Sequence, residues 1–334
     1  MRRTADREVR DYRQRTLASI DLPINQRLVE EFRLRLADFA VWNQCPLCGG
    51  CGRDIATLQR RQYQFGQSLI PIPDSGVTLR ECQHCTLLFK TLVPTAESLG
   101  AILRAEAANE WKEKTGDHPS KVHLLELIRD EQLSAVLDIG ASNGDLLRAL
   151  RTACDRLSAF DVVRFPKCED IVNGEYITGT FENTPSWSGE HYDLVTAFDV
   201  FEHFLDPCSA ARNIIHFARN GGFIIVETGD WQAVRNDLAG WYYCNLFEHQ
   251  IFWSENSFRY LASEAGLRIK SLQRVNHKFR RNMPALKKAA TITYRQLARN
   301  GYIREAATRS LGVDPSLVPP PDLVDHLYVV LQRR

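Results

Sequence analysis

The chain has 334 residues, 44% of them hydrophobic, and its 42 Lys and Arg nearly balance 41 Asp and Glu for a formal net charge of +1. That length holds one large domain with its own core plus a satellite module. The near-zero charge speaks against a nucleic-acid protein that works by bulk positive charge. No apolar run reaches the length of a membrane span. The N-terminus, MRRTADREVRDYRQR, is charged throughout and lacks the apolar stretch of a secretory signal, so a cytoplasmic location is expected.

Residues 1–42 read as a helical N-terminal extension. Leu28, Phe32, Leu36 and Phe39 recur at helical spacing and define one apolar face, with a break at Asp21-Leu22-Pro23. Residues 43–97 change character and form a Cys-rich module. Cys45-Pro46-Leu47-Cys48 and Cys82-Gln83-His84-Cys85 are two CxxC knuckles, each presenting two thiolates from one tight turn, and together they complete a tetrahedral zinc site. Cys51 and His84 compete as ligands but break the paired symmetry. A filled tetrahedron leaves no position for water, so this zinc is expected to be structural. Inside the cell, cysteines serve as metal ligands or buried thiols rather than as a disulfide framework. The scattered Cys154, Cys168, Cys208 and Cys244 read as ordinary small residues.

A helical pattern runs from Ser98 to Arg129, and strand and helix signals then alternate from Ala135 to about Lys278. This predicts an α/β domain with a doubly wound, Rossmann-like parallel sheet over 98–275. Within SAVLDIGASNGDLLRAL (134–150) a short apolar strand ends in Asp138. A glycine-containing turn, Gly140-Ala141-Ser142-Asn143-Gly144, leads into an amphipathic helix. Glycines there let the backbone pass close to a ligand at the carboxyl end of the strand. Asp161 closes the next predicted strand, where a carboxylate can accept both hydroxyls of a ribose. The pair points to an adenosine-type ligand.

Four motifs carry a family resemblance. DIGASNG is similar to a D/E-x-G-x-G-x-G loop with Ser142 at the middle glycine. HYDLVTAFDVFEHFLDP (191–207) is similar to a fourth strand and its loop, GGFIIVETGDW (221–231) to a fifth strand, and SENSFRYLASEAGL (254–267) to the helix that follows. In this order and spacing, residues 134–270 resemble a class I S-adenosylmethionine (SAM)-dependent methyltransferase. The resemblance implies SAM as cofactor, with Asp138 and Gly140 against its methionine part and Asp161 on its ribose. Residues 179–183 would flank the adenine, with Thr180 and Phe181 where the family often has an acid. The implied cofactor-binding set is Asp138, Gly140, Ser142, Gly144, Asp161, Phe181 and Asp199. The Cys module followed by LLFKTLVPTAESLGAIL also resembles the N-terminal zinc module of a branch that includes sugar C-methyltransferases, where it helps to frame the substrate pocket.

Methyl transfer from a sulfonium needs an aligned acceptor and, for a hydroxyl or carbon acid, a proton acceptor. Two Glu-His pairs fall on the loops after strands four and five: Glu202-His203 and Glu248-His249. Histidine suits the task because its ordinary pKa lies near neutrality. His203 stands in a loop that serves many acceptors and also reads as a residue shaping the cofactor pocket. FEHQIFWS resembles the EH-x-x-x-F/Y-S segment of the sugar branch, which makes His249, beside Glu248, the candidate base; its other reading is a histidine that orders the loop. That branch carries Tyr three residues before the His, where this chain has Leu246, with Tyr242 and Tyr243 one turn away. Trp231, Trp241, Phe247, Phe252 and Trp253 crowd the same stretch as core or as stacking surface for an acceptor.

Residues 276–322 read as a basic helical insertion or lid, since Lys and Arg from Arg274 to Arg309 face Glu305 as the sole acid. Such a run is by default a solvated surface; as a lid it suits an anionic acceptor such as a nucleotide-linked sugar. Residues 323–334 supply the final strand. The reading is a SAM-dependent methyltransferase acting on a small molecule, a sugar, nucleotide-sugar, glycan or secondary-metabolite precursor. An RNA methyltransferase is its rival among enzymes, and a non-catalytic SAM- or zinc-binding regulatory protein its rival outside them. Whether carbon, oxygen or nitrogen is methylated stays open.

Overall fold

A computed structural model describes residues 36–58, 62–65, 68–71, 76–104, 124, 133–180, 191–276 and 323–334. The predicted helices before residue 36, Phe181 and nearly all of the 276–322 insertion lie outside the described residues. In chain order the strands of the first part are β1 (Phe39–Val41), β2 (Gly52–Leu58), β3 (Gln62–Phe65), β4 (Ser68–Pro71), β5 (Val77–Cys82), β6 (Leu88–Lys90) and β7 (Leu92–Pro94), followed by helix α1 (Ala96–Arg104). The second part comprises β8 (Ala135–Ile139), α2 (Asp145–Leu150), β9 (Arg156–Asp161), α3 (Pro166–Glu169), β10 (Tyr176–Thr178), β11 (Tyr192–Phe198), α4 (Pro207–Phe217) and β12 (Ala218–Gly229). It continues through β13 (Ile251–Phe252), α5 (Glu255–Glu264), β14 (Leu267–Val275) and β15 (His326–Arg333).

The larger sheet has seven strands in the order β10-β9-β8-β11-β12-β15-β14. Strands β8 to β12 run parallel, and β15 inserts antiparallel between β12 and β14. The chain turns opposite ways on the two sides of β8, towards β9 and towards β11, so the crevice at the carboxyl end of β8 is the topological switch point where ligands bind in such sheets. Every residue of β8 is buried, as a strand covered on both faces requires. Alternation sorts the apolar side chains. Leu137, Ile139, Val195, Ala197 and Ile224 pack with Ile214 and Phe217 of α4, while Val136, Leu194 and Ile225 pack with Leu146 and Leu150 of α2. Helix ends are set by local chemistry: Asp206 caps α4 through the Ser209 amide at 3.0 Å, with Pro207 at its first position, and Ser254 and Ser257 form a reciprocal capping box on α5.

The Cys-rich segment builds a second sheet in the order β13-β6-β5-β2. Its edge strand β13 comes from beyond residue 250, so the module's sheet is completed by the segment after His249. The helical face predicted through Leu36 and Phe39 does not extend that far. Leu36–Asp38 is a single 3-10 turn, and Phe39–Val41 pairs antiparallel with Leu92–Pro94. Pairing with a strand edge overrides a local helical spacing of apolar residues. Among the described residues no helix is long and apolar enough to cross a membrane.

Gly229 ends β12 beneath the aromatic platform of the next loop. A Cβ there would penetrate the Tyr243 ring and lie 2.8 Å from Trp241 Cη2. Gly229→Ala is expected to lower stability by about 1–3 kcal/mol, the usual cost of overpacking a dense core, in urea denaturation. An unchanged midpoint would show that Tyr243 and Trp241 are free to retreat.

Candidate functional site

The turn after β8 runs through left-handed backbone at Gly140 (φ 71°), Ser142 (φ 48°) and Gly144 (φ 74°). A side chain at Gly140 would meet Val200 Cγ2 at 2.6 Å, so glycine is needed for both space and torsion. Ser142 adopts the conformation that a glycine would take without steric cost. Its amide donates to Asp161 Oδ2 at 2.9 Å, while the Val162 amide donates to Oδ1 at 2.7 Å. These two bonds fix the carboxylate at the end of β9 against the turn. Asp138, buried at the end of β8, accepts a hydrogen bond from Thr196 Oγ1 at 2.7 Å. Burial pushes its pKa up to about 7, and the nearby Asp161 charge raises it further while Thr196 opposes the shift. Asp138, Gly140, Ser142, Gly144 and Asp161 thus line one turn. Asp199 stands across the switch point at the end of β11, itself left-handed (φ 54°) with its amide on Glu227 O.

The two Glu-His pairs come together although they lie far apart in sequence. Glu202 is fully buried; Oε2 accepts from Thr228 Oγ1 at 2.7 Å, and Oε1 lies 3.6 Å from His203 Nε2 and 3.7 Å from His249 Nε2. Burial raises its pKa. Both His203 nitrogens face carbonyl oxygens: Nδ1 that of Glu248 and Nε2 that of Asp199, each at 3.0 Å. His203 thus bridges two backbone carbonyls, and with Glu202 and His249 it forms a group whose potential ligand atoms lie within 4.8 Å of one another. His249 commits only Nδ1, to Tyr243 O at 3.1 Å, and burial drives its pKa well below the ordinary imidazole value. Its ring meets the Tyr243 ring at 4.0 Å between centroids. Burial raises the Glu248 pKa, while the nearby His203 and Lys90 oppose the shift.

One participant had no sequence signal. His326 opens β15, opposite Gly229 on β12 and Val275 on β14, and so sits at the carboxyl edge of the parallel strands. It is fully buried, with Nδ1 2.8 Å from Asp325 Oδ1 and Nε2 3.8 Å from Asp199 Oδ1. A His that begins an apolar strand after a long insertion looks like a strand boundary until the sheet is assembled. A separate cavity of about 270 Å³ is lined by Ala233, Val234, Asn236, Asp237, Gly240, Trp241, Tyr242 and Leu323; it borders the loop that carries His249 but contains none of the groups above.

In the Cys module, Cys45, Cys48, Cys82 and Cys85 bring their sulfurs within 4.8 Å of one another. Cys45 and Cys85 are 3.6 Å apart and Cys48 and Cys82 3.4 Å apart, far longer than a disulfide bond. Such separations approach the roughly 3.8 Å edge of a tetrahedron built on metal–sulfur bonds of about 2.3 Å. Cys51 is exposed and stands outside the group, while the exposed His84 places its ring against Tyr260. The four-sulfur donor set fits a soft tetrahedral cation.

Residues 111–272 match the family model described as a methyltransferase domain, a little under half of the chain. Over 100 residues it is 30% identical to the ubiquinone biosynthesis O-methyltransferase of Yersinia pestis (strain Pestoides F), a stretch that covers 28% of this chain and 41% of that protein. The chain thus spans about two fifths of the length of the curated relatives it matches. Similar solved structures include the S-adenosylmethionine-dependent methyltransferase from Clostridium acetobutylicum ATCC 824, at 11% identity and TM-score 0.45, covering 65% of this chain and 92% of that one. The N-methyltransferase NodS from Bradyrhizobium japonicum WM9, in complex with S-adenosyl-L-homocysteine, is 14% identical with TM-score 0.42, covering 71% of this chain and 97% of that one.

Asp138 gives a stability test. Its folded pKa of about 7 lies above the unfolded carboxylate value near 4. Its contribution to stability is therefore fully present below about pH 4 and is lost as the pH rises through about 7. Asp138→Asn, which keeps an acceptor for Thr196, is expected to match the wild type at pH 4. At pH 8 it should be more stable, by up to about 4 kcal/mol. Urea denaturation at the two pH values reads the difference, and a pH-independent difference would refute the shift.

Proposed function

We propose that the protein transfers a methyl group from SAM to a small-molecule acceptor of the sugar, nucleotide-sugar, glycan or secondary-metabolite-precursor class, with a structural zinc ion held by Cys45, Cys48, Cys82 and Cys85. The observation that carries the reading is the closure of the glycine turn on Asp161 at the switch point. Backbone amides orient both carboxylate oxygens, and a carboxylate held at the end of β9 suits the two hydroxyls of a ribose. Asp138, Gly140, Ser142, Gly144 and Asp199 would surround the methionine end, and Phe181 would flank the adenine. When bound, SAM supplies an electrophilic methyl group on a cationic sulfur.

The chain's own part is to align the acceptor and receive its proton. With Nδ1 fixed on a carbonyl, His249 presents Nε2 as a lone pair, and Glu202 is placed to balance the imidazolium that forms. His203 ties the loop after β11 to the segment that follows the 3-10 turn Tyr242–Asn245 and shapes the pocket. The acceptor class is supported by three buried oxygens without hydrogen-bond partners, Asn245 Oδ1, Glu248 Oε2 and Gln250 Oε1. Both amide nitrogens are committed to backbone carbonyls, Asn245 Nδ2 to Trp241 O at 2.8 Å and Gln250 Nε2 to Phe247 O at 2.7 Å. Flipping the amides would only exchange one deficit for another. Three acceptors in want of donors favour a hydroxyl-rich ligand.

Calorimetric titration with S-adenosylhomocysteine tests the cofactor site: micromolar binding is expected, weakened at least about a hundredfold in Asp161→Ala by loss of two charge-assisted hydrogen bonds. An absence of binding to the intact, zinc-replete protein would refute the proposal. For the metal, one zinc per chain is expected by elemental analysis, and Cys82→Ser should lose it together with the cooperative unfolding transition of the module.

A further inference from the structure

We infer that His326 is a positioning residue: paired with Asp325, it holds the Asp199 carboxylate at the mouth of the cofactor crevice, so that Asp325, His326 and Asp199 act as one carboxylate–imidazole–carboxylate unit. The inference rests on the cofactor reading proposed above, because Asp199 is the member that would face the cationic ligand.

The geometry is determined from the buried end outwards. Asp325 is 1% exposed and is held three ways: Oδ2 accepts from Trp241 Nε1 at 2.7 Å, its carbonyl accepts the Asp230 amide at 2.7 Å, and Oδ1 accepts from His326 Nδ1 at 2.8 Å. That last bond fixes the imidazole tautomer and orientation and leaves Nε2 as the nitrogen that meets Asp199. A neutral Nε2 would point its lone pair at the Asp199 oxygen 3.8 Å away, and no water reaches the fully buried ring to relieve the repulsion. A proton on Nε2 turns the same contact into an attraction.

The groups facing His326 agree from every side. Asp325 precedes it in the chain, Asp199 follows β11, Glu227 lies on β12, and the Tyr243 ring packs edge-on at 5.0 Å. The three carboxylates raise the imidazole pKa even against burial. Asp199 has a 22% exposed side chain on a left-handed backbone whose amide donates to Glu227 O and whose carbonyl faces His203 Nε2. Its backbone is thus fixed, and the direction of its carboxylate is a matter of side-chain rotation that the His326 contact biases.

Two measurements on the full chain test the inference. In the first, histidine side-chain NMR follows each imidazole through pH in the ligand-free protein, with His326 assigned by its absence in His326→Gln. Asp199→Asn is expected to lower the His326 titration midpoint by about one unit or more while leaving the surface histidines in place. An unmoved His326 resonance overturns the inference, whatever the ligand-binding result. Should His326→Gln fail to fold, His326 is assigned through its backbone connectivity to Asp325 and Leu327, which keeps it apart from His249, whose pKa Asp199 also raises.

The second is a double-mutant cycle on S-adenosylhomocysteine affinity. Asp199→Asn and His326→Gln are each expected to weaken binding about tenfold, and the double variant to be no weaker than either single, a coupling of about tenfold. Multiplicative losses would mean two independent sites and overturn the unit. If the wild type binds no S-adenosylhomocysteine, the methyltransferase reading fails while the NMR arm still decides the triad.

Discussion

The buried Glu202 carboxylate joins the parts of this molecule that would otherwise be separate. Its side chain accepts from Thr228 on β12 and faces His203 and His249, and its own carbonyl accepts the Gln250 amide at 2.8 Å and the Ile251 amide at 3.3 Å. Ile251 begins β13, which is an edge strand of the Cys-module sheet. One residue thus connects β12 of the large sheet, the imidazole cluster and the second sheet. Removing its carboxyl would leave Thr228 and two imidazoles without their shared partner, and buried polar groups left unpaired are costly.

The sheet of the Cys module meets the loop that carries His249. Lys90, fully buried on β6, donates to Leu246 O at 2.8 Å within the loop that carries His249. Burial lowers its pKa to about 8, while the Cys244 and Glu248 side chains support the charged form. Next to it, Trp231 Nε1 donates to Thr86 O at 3.0 Å, immediately after the second Cys knuckle. A buried lysine is tolerated only where its partners are fixed. The four clustered cysteines lie on the turns that lead into β6, so a metal bound there would brace the loop that carries His249 at a distance.

How much of this was legible in the sequence depends on how local the signal is. The turn Gly140–Gly144 and Asp161 could be read because left-handed torsions and strand-end acids leave their mark within a few residues. The clustering of the Cys knuckles could be read because two cysteines on one tight turn have a fixed spacing. Counting backward from His249 was less informative. Leu246 occupies the expected aromatic position, but the 3-10 turn Tyr242–Asn245 brings the Tyr243 ring over both His249 and His326. His326 could not be read, because its role arises only when β15 enters the sheet antiparallel and sets it opposite Gly229. The same holds for β13, two residues whose pairing partner lies more than 150 positions earlier.

The electrostatics of the crevice follow from this assembly. Asp138, Glu202 and Glu248 are all buried with raised pKa values, and Asp199 and Glu227 stand nearby. A ligand-free site relieves such crowding by keeping protons on its carboxyl groups and charge on His326. A cationic ligand of the proposed kind would reverse that balance, favouring the ionised carboxylates as it enters. Proton release and ligand entry would then be two sides of one equilibrium. The carboxyl edge of the sheet is destabilised by its own acids when empty and relieved by positive charge, which is a physical reason for placing so many of them where an uncharged cofactor would need none.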